Sequence, residues 1–279
     1  MDPSFWQALP RLLPDRRSHW VVLTGAGSSK ESGIPTFREA QSGLWERFRP
    51  QESASAQGFE KDPLRVWKWY QHRRHSAERA APHAGHRVLS WLEKTLPSLA
   101  IITQNVDGLH QRAGSREVIE LHGSLHRSIC YNHRHPAHEG WAQQSGHPKC
   151  RQCGSWLRSD VVWFGENLCQ ATLQRASEAA KQAKVFFVIG TSSQVYPAAG
   201  LAWMAKAAGA TLVEINPECT PLSQEADFFS THEGFGGPGD AQGAAAASWR
   251  PDIRSNQPIE PAVSPTIRST RPSPFQSAA

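Results

Sequence analysis

Five short apolar runs, rich in β-branched residues, recur at 20–24, 99–103, 118–121, 185–189 and 211–215. Each has the length of a strand buried on both faces, and helical patterns at 83–94, 171–183 and 198–208 separate most of them. Strand–helix alternation of this kind predicts an α/β fold with a doubly wound parallel sheet. Sheets of that class bind ligands beyond the carboxyl ends of their strands. The polar and glycine-containing segments fall there: GAGSS after the first run, QNVDG after the second, HGS after the third, GTSS after the fourth and NPE after the fifth. Five strand ends therefore feed one crevice.

Two segments interrupt the alternation. The first, 35–81, reads as a loop and then a helix opening at Asp62-Pro63, a good N-cap and first-turn pair. The second, 127–159, is rich in Cys, His and Gly and has no long apolar run. The resulting expectation is a globular unit over 1–235. In it a Rossmann-like core (14–37, 83–126 and 160–229) carries a smaller inserted helical and zinc-binding module (38–82 and 127–159). Over 236–279 the composition turns to Gly and Ala and then to Pro, Ser and Arg. Such a tail buries too little surface to offset its ordering entropy and is expected to be disordered.

The net charge is +5, but the basic residues are scattered rather than clustered, so no specific nucleic acid binding is expected. The first twenty residues lack the uninterrupted apolar segment of a signal peptide, and no stretch is long enough to span a bilayer. A cytoplasmic monomer without a membrane partner is the expectation. Five cysteines in 279 residues do not make a disulfide scaffold, whereas closely spaced ones point to metal.

In the loop after the first run, Gly25 and Gly27 permit close backbone approach to a pyrophosphate, with amides at a helix N-terminus favouring the anion. Lys30 stands where a third glycine would complete G-x-G-x-x-G. Glu46, at the spacing of a ribose-binding acid, lies in SGLWERFRP, which is no strand. The pattern of a hydride-transferring enzyme is thus not met.

GAGSS followed by GIPTFR is similar to the cofactor loop of the sirtuins, the NAD-dependent protein lysine deacylases. The likeness continues in family order through Gln104-Asn105-Val106-Asp107, Leu121-His122-Gly123, Val162-Trp163-Phe164-Gly165-Glu166, Gly190-Thr191-Ser192-Ser193 and Ile215-Asn216-Pro217-Glu218, and covers 20–227. The resemblance implies that NAD is consumed rather than reduced. An acyl-lysine amide oxygen attacks the ribose carbon bearing nicotinamide, nicotinamide departs, and a histidine acts as general base on a ribose hydroxyl as the acyl group moves onto ADP-ribose. By motif that catalytic base is His122, and a near-neutral imidazole suits the task.

The same resemblance implies cofactor contacts at Gly25, Ala26, Gly27, Ser29, Thr36, Phe37, Arg38 and Trp45. Gln104, Asn105 and Asp107 would face nicotinamide and its ribose, and Gly190, Thr191, Ser192, Asn216, Pro217 and Glu218 the adenosine side. From the residues alone, Asn105 and Asp107 could equally cap the helix that follows. Val162, Trp163, Phe164, Gly165 and Glu166 resemble the strand on which an acylated peptide or protein adds by main-chain pairing, the alternative being an ordinary buried strand. Protein ADP-ribosyl transfer, or NAD binding without catalysis, are the competing functions.

Tyr70 and Arg73, three residues apart on one predicted helix face, resemble the Tyr-x-x-Arg pair that binds the carboxylate of succinyl or malonyl groups in class III sirtuins. A guanidinium fork matches a carboxylate, although such spacing on a basic helix also describes a solvated face. Thr36 stands where deacetylase-type members more often carry Asp.

One structural zinc is implied as well. The second family pair is intact as Cys150 and Cys153, while the first is Cys130 and His133, a Cys3His set. His135 and His138 are near enough to substitute, and loss of the metal is the other alternative. Cys169 and Cys219 have no partners in sequence. After Phe228 the family's short strand and final helix are not legible in STHEGFGGPGD, either as a lineage feature or through a shifted reading frame.

Overall fold

The computed structural model describes residues 19–36, 53–144 and 146–231. Eight strands run through them: β1 (His19–Thr24), β2 (Ser98–Thr103), β3 (Val118–Glu120), β4 (Gly123–Cys130), β5 (Leu157–Val161), β6 (Val185–Ile189), β7 (Thr211–Ile215) and β8 (Phe228–Ser230). The helices are α1 (Ala56–Lys61), α2 (Pro63–Arg79), α3 (Ala84–Thr95), α4 (Leu109–Arg112), α5 (Gln170–Gln182) and α6 (Gly200–Ala207). All five apolar runs are strands, with boundaries within one residue of the expected ones.

Six strands form one parallel sheet in the order β3-β2-β1-β6-β7-β8. The chain winds outward from β1 on one side and then returns beside it as β6, so the strand order reverses between these two. Register brings the carboxyl ends level: Thr24 lies beside Thr103 and Ile189, Thr103 beside Glu120, and Ile189 beside Ile215. Every loop that follows a strand consequently starts at one height above the reversal point, where such sheets bind ligands.

Alternate residues of each strand enter opposite cores. Val21, Leu23, Ile102, Phe186, Val188 and Leu212 pack on one face against α5 and α6, whose contacting residues include Ala176, Ala180, Ala202 and Ala205. These small side chains let the helix backbones lie close to the sheet. Trp20, Val22, Ile101, Phe187, Val213 and Ile215 fill the other face with Leu89 of α3.

The edge strand β8 is a departure from the sequence reading, which found no strand after Phe228. Three residues are too few to carry a periodicity. Pairing with β7 is enforced by Asp227, whose carboxylate accepts from Leu212 N at 2.7 Å, and by a bond from Asn216 N to Ser230 O at 2.9 Å.

A second, antiparallel sheet consists of β4 and β5 and is interrupted by a register shift between Ser124 and Ser128. Its two strands run across positions 126/127 and 159/160, the edges expected between core and module. On it pack α1 and α2 through Phe59, Val66, Trp69 and Tyr70, which meet Leu125, Val161 and Trp163. Helix α2 begins as its sequence predicts: Asp62 accepts from Arg65 N at 3.0 Å, with Pro63 in the first turn. Among the described residues no helix is long and apolar enough to cross a membrane.

Candidate functional site

The loops after β1 and β6 interlock. Gly25 N donates to Ile189 O at 3.0 Å, Gly27 N to Gly190 O at 2.8 Å, and Gly190 N to Ile215 O at 3.0 Å. A Cβ on Gly25 would stand 2.6 Å from Thr191 Cβ, one on Gly27 2.8 Å from Gly190 O, and one on Gly190 2.3 Å from Ser28 N. No side chain fits at these positions. The sequence reading assigned the first two glycines to contact with a pyrophosphate; in the structure they also make room for a neighbouring loop. From Gly25 the chain coils as a 3₁₀ segment, Ala26–Ser32, rather than as an α-helix, and Gly33 ends it at φ 80°.

Asn105 and Asp107 hold this loop from the end of β2. The Asn105 amide donates to Gly25 O at 2.9 Å, Ser28 Oγ at 3.1 Å and Ser29 Oγ at 3.0 Å. Asp107 accepts from Ser29 Oγ at 2.8 Å and from Leu109 N at 2.9 Å. Asp107 thus caps α4 and grips the loop together, while Asn105 contacts the loop and not the helix. Burial raises the Asp107 pKa, against the lowering effect of its hydrogen bonds from Leu109 and Ser29.

His122 stands between β3 and β4. Its Nδ1 lies 3.0 Å from the Gln104 carbonyl. A carbonyl only accepts, so Nδ1 carries the proton and Nε2 is left as a base. Burial holds the His122 pKa below the ordinary histidine value, outweighing the upward pull of that carbonyl. The ring is therefore neutral at pH 7. Val162 N donates to His122 O at 2.9 Å, which fixes the histidine to the following segment. Gln104 reaches from β2 to β6 with its side chain, donating to Thr191 Oγ1 at 3.0 Å, and Asn216 donates to Thr191 O at 3.1 Å.

Pro217 and Glu218 are exposed beyond β7, and Thr36 and Ser192 are half-buried. Phe37, Arg38 and Trp45, together with the tail at 236–279, lie outside the described residues. Ser193 was not among the expected contacts, yet it adopts φ 54° beside Ser192, and its buried hydroxyl has no hydrogen-bond partner. The second serine of GTSS was the available signal.

The segment 162–166 is a turn rather than the expected strand. Phe164 N donates to Ala54 O at 2.9 Å and makes a single parallel bridge with Ser55, after which Gly165 turns the chain at φ 84°. The Glu166 carboxylate captures Trp163 N at 2.8 Å and so closes that turn. Trp163 is buried, whereas Phe164 is exposed.

Tyr70 is 2% exposed, which removes the solvated-face reading for it. Its hydroxyl has no hydrogen-bond partner, and burial pushes its pKa up to about 12, so it stays protonated. The Arg73 guanidinium lies 4.9 Å from the Trp69 ring centre and 5.8 Å from that of Tyr70. Among the described residues no carboxylate lies within ion-pair distance of it. An anion is the natural complement of this pair.

Beyond the ribbon formed by β4 and β5, donor atoms of Cys130, His133, His135 and Cys153 lie within 4.8 Å of one another. Cys130 and Cys153 sulfurs are 3.7 Å apart, and Cys150 Sγ is 3.6 Å from His135 Nδ1. Tetrahedral zinc, with bonds of about 2.3 Å to sulfur and about 2.0 Å to nitrogen, has S···S edges of about 3.8 Å and S···N edges of about 3.5 Å. The donors fit such a site, with both His133 and His135 at hand. His138 points elsewhere, to Glu139 O at 2.7 Å.

A buried histidine row underlies the 3₁₀ loop. His83 Nε2 donates to Ser28 O at 2.6 Å, and its Nδ1 accepts from Gly85 N at 2.9 Å. His110 Nε2 meets Thr24 Oγ1 at 3.0 Å, while that hydroxyl donates to Thr103. His86 lies between them, with ring centres 4.2 Å and 4.9 Å away, and neither of its nitrogens has a partner. Burial, then the neighbouring charges, lower His86 to about 3 and His110 to about 4.

Comparison with known proteins places these features in a family context. A model described as "Sir2 family" matches residues 25–197. The chain is 49% identical over 209 residues to an NAD-dependent protein deacylase of Aquifex aeolicus, covering 75% of this chain and 87% of that one. It is 48% identical over 209 residues to NAD-dependent protein deacylase 1 of Archaeoglobus fulgidus, covering 75% and 85%. Among solved structures, a Sir2 homolog–NAD complex superposes with a TM-score of 0.74 at 45% identity, covering 80% of this chain and 88% of that one. A Sir2 complex with a p53 peptide and NAD+ gives 0.72 at 33% identity, covering 84% and 94%.

Two outcomes follow from the site. Metal analysis of the purified chain should find about one zinc per chain, and chelation should lower Tm. His135→Ala should reduce zinc content more than His138→Ala; full retention after His135→Ala would assign that ligand position to His133. The buried histidines should also make folding acid-sensitive. The folded pKa values of His86 and His110 lie below the unfolded value of about 6.5, so the unfolded chain binds more protons as pH falls. Stability should then drop by up to about 1.4 kcal/mol per pH unit per group between pH 6.5 and 4.5. Denaturant titrations of His86→Leu should show a shallower slope than wild type, and equal slopes would contradict its neutral burial.

Proposed function

Because the chain belongs to the Sir2 family, we propose that it removes acyl groups from lysine side chains of proteins or peptides, consuming NAD and releasing nicotinamide. The observation that carries this reading is His122, whose free Nε2 is set by the Gln104 carbonyl at the level where five strand ends converge. NAD supplies a ribose carbon from which nicotinamide can depart. The chain's contribution is to hold, orient and accept a proton. His122 Nε2 takes it from a ribose hydroxyl, since burial keeps the ring neutral and ready to accept. The loop Gly25, Ala26, Gly27 and Ser29 lines the pyrophosphate; the Gly25 and Gly27 amides are spent on Ile189 O and Gly190 O, so these two glycines serve by close, side-chain-free backbone approach. Gln104, Asn105 and Asp107 serve the nicotinamide side, with Thr36, Phe37, Arg38 and Trp45 covering the cofactor. Gly190, Thr191, Ser192, Asn216, Pro217 and Glu218 serve the adenosine.

The acyl group preferred in this proposal is acidic: succinyl or malonyl ahead of acetyl. Among the described residues the buried phenol proton of Tyr70 has no acceptor, and the Arg73 guanidinium beside it on α2 feels Asp107 only from beyond ion-pair distance. A carboxylate on the acyl chain satisfies both, whereas acetyl leaves them unpaired, and sites built on hydrogen bonds discriminate strongly against such analogues. The peptide lies along 162–166, whose exposed Phe164 borders the turn. The division of labour is a core that carries NAD and a small module that carries Tyr70, Arg73 and the zinc donors Cys130, Cys150, Cys153 and His133 or His135.

Acetyl-, malonyl- and succinyl-lysine peptides incubated with and without NAD, followed by mass spectrometry, test the activity. Product that forms only with NAD is expected, and no product from any peptide would refute the reading. Tyr70→Phe combined with Arg73→Met should lower the succinyl-to-acetyl ratio of kcat/KM by more than about 100-fold; equal losses would remove the acidic pocket. His122→Ala should slow turnover by about 10²–10⁴-fold while NAD binding measured by calorimetry persists, and undiminished turnover would deny it the role of base.

A further inference from the structure

Trp163 is clamped from several directions. The Arg158 guanidinium carbon lies 3.2 Å from its ring centre, and Phe59 and Tyr131 lie 5.3 Å and 6.2 Å away. The same arginine donates to both Glu166 carboxylate oxygens at 2.5 Å and 3.0 Å and to Val161 O at 2.6 Å. Glu166 in turn accepts from Trp163 N at 2.8 Å. Ring and main chain of one residue are thus fixed by a closed circuit through a single ion pair between buried Arg158 and half-buried Glu166. A cation on an indole face is favourable in its own right, but the circuit leaves the indole N–H itself unspent.

That N–H is buried and has no hydrogen bond. Tyr70 packs against the same indole, with ring centres 6.5 Å apart and planes 27° from parallel, and its hydroxyl is likewise buried and unpartnered. The indole is near enough to favour negative charge on the phenol oxygen, though the two atoms do not complete a hydrogen bond. Buried polar groups are nearly always paired in folded proteins, so two that face one another unpaired mark a place completed from outside. An indole N–H can only donate, whereas a phenol both donates and accepts.

We propose that Trp163, held by Arg158 and Glu166, is a positioning residue that aims the Tyr70 proton at the carboxylate of an acidic acyl group. When the acyl chain enters, the indole N–H donates to the Tyr70 oxygen, and the phenol proton turns away from the indole to the incoming carboxylate beside Arg73. No bond is made or broken, and no proton changes owner. The inference rests on the acidic-acyl reading above and deepens it: preference for a carboxylate depends on a donor that does not touch the carboxylate. An acetyl group gives the Tyr70 proton no acceptor, so the relay serves acidic acyl groups alone.

The test is a double-mutant cycle on kcat/KM for succinyl- and acetyl-lysine peptides, with Trp163→Phe, Tyr70→Phe and both together in the full-length protein. Phenylalanine keeps a ring in the clamp and removes the donor; the packing it also loses falls on succinyl and acetyl turnover alike, so the ratio isolates the donor. Trp163→Phe should lower the succinyl-to-acetyl ratio about tenfold, the value of one hydrogen bond, and should leave that ratio unchanged when introduced into Tyr70→Phe. If Tyr70→Phe lowers the ratio and Trp163→Phe does not, or reduces both activities equally, the relay is overturned and the acidic pocket stands. A Trp163→Phe effect that persists in the Tyr70→Phe background overturns it too. If no variant changes the ratio, the relay and the acidic-acyl reading both fall.

Discussion

The close approach of two loops at the centre of the sheet is the constraint on which the rest of the site depends. Gly25 and Gly27 meet Gly190 at separations that exclude even a methyl group, and main-chain bonds lock the contact. Because the strands on either side end level, this contact sets the height of the whole 3₁₀ segment above the sheet. Asn105 and Asp107 then find Gly25, Ser28 and Ser29 within reach of short side chains. A looser packing of the loops would leave these groups, buried beside Thr24 and Thr103, without the partners that offset their desolvation.

The small module shows the opposite strategy. Around Tyr70 and Trp163 it buries polar atoms without satisfying them, in surroundings otherwise built from Phe59, Trp69 and Leu125. Such unpaired donors weigh against folding stability and are tolerated at sites that a ligand completes. Arg158 and Glu166, by contrast, are satisfied by each other and by the main chain of Val161 and Trp163. The rigid part of the module and its receptive part thus lie within one aromatic cluster.

Much of this architecture was legible in the sequence, and the pattern of what was not is physical. Buried parallel strands are continuous apolar runs, so β1, β2, β3, β6 and β7 could be read directly, and Asp62-Pro63 marked the start of α2 through local capping. His122 was legible through its motif. What escaped depended on contacts between distant segments. His135 was legible only as an alternative to His133; that both lie among the metal donors depends on a fold-back after His133 that Cys-x-x-Cys spacing does not encode. The partner of Gly25 and Gly27 lies more than 160 residues away in sequence, as Gly190. His83 and His86 open α3 and His110 lies in α4, and the three form a row only when α3 packs beneath the β1 loop. The 162–166 segment reads as a strand by resemblance, but Gly165 and the Glu166 carboxylate bend it.

Strand β4 leaves His122 without an intervening loop and ends at Cys130. Its pairing breaks between Ser124 and Ser128, so its eight residues lie opposite only the five of β5, about 13 Å of ribbon, with the His122 imidazole just before one end and the Cys130 thiol at the other. A ribbon bulged in its middle bends there, so a disturbance at the cysteine end is taken up by the bulge before it reaches the imidazole.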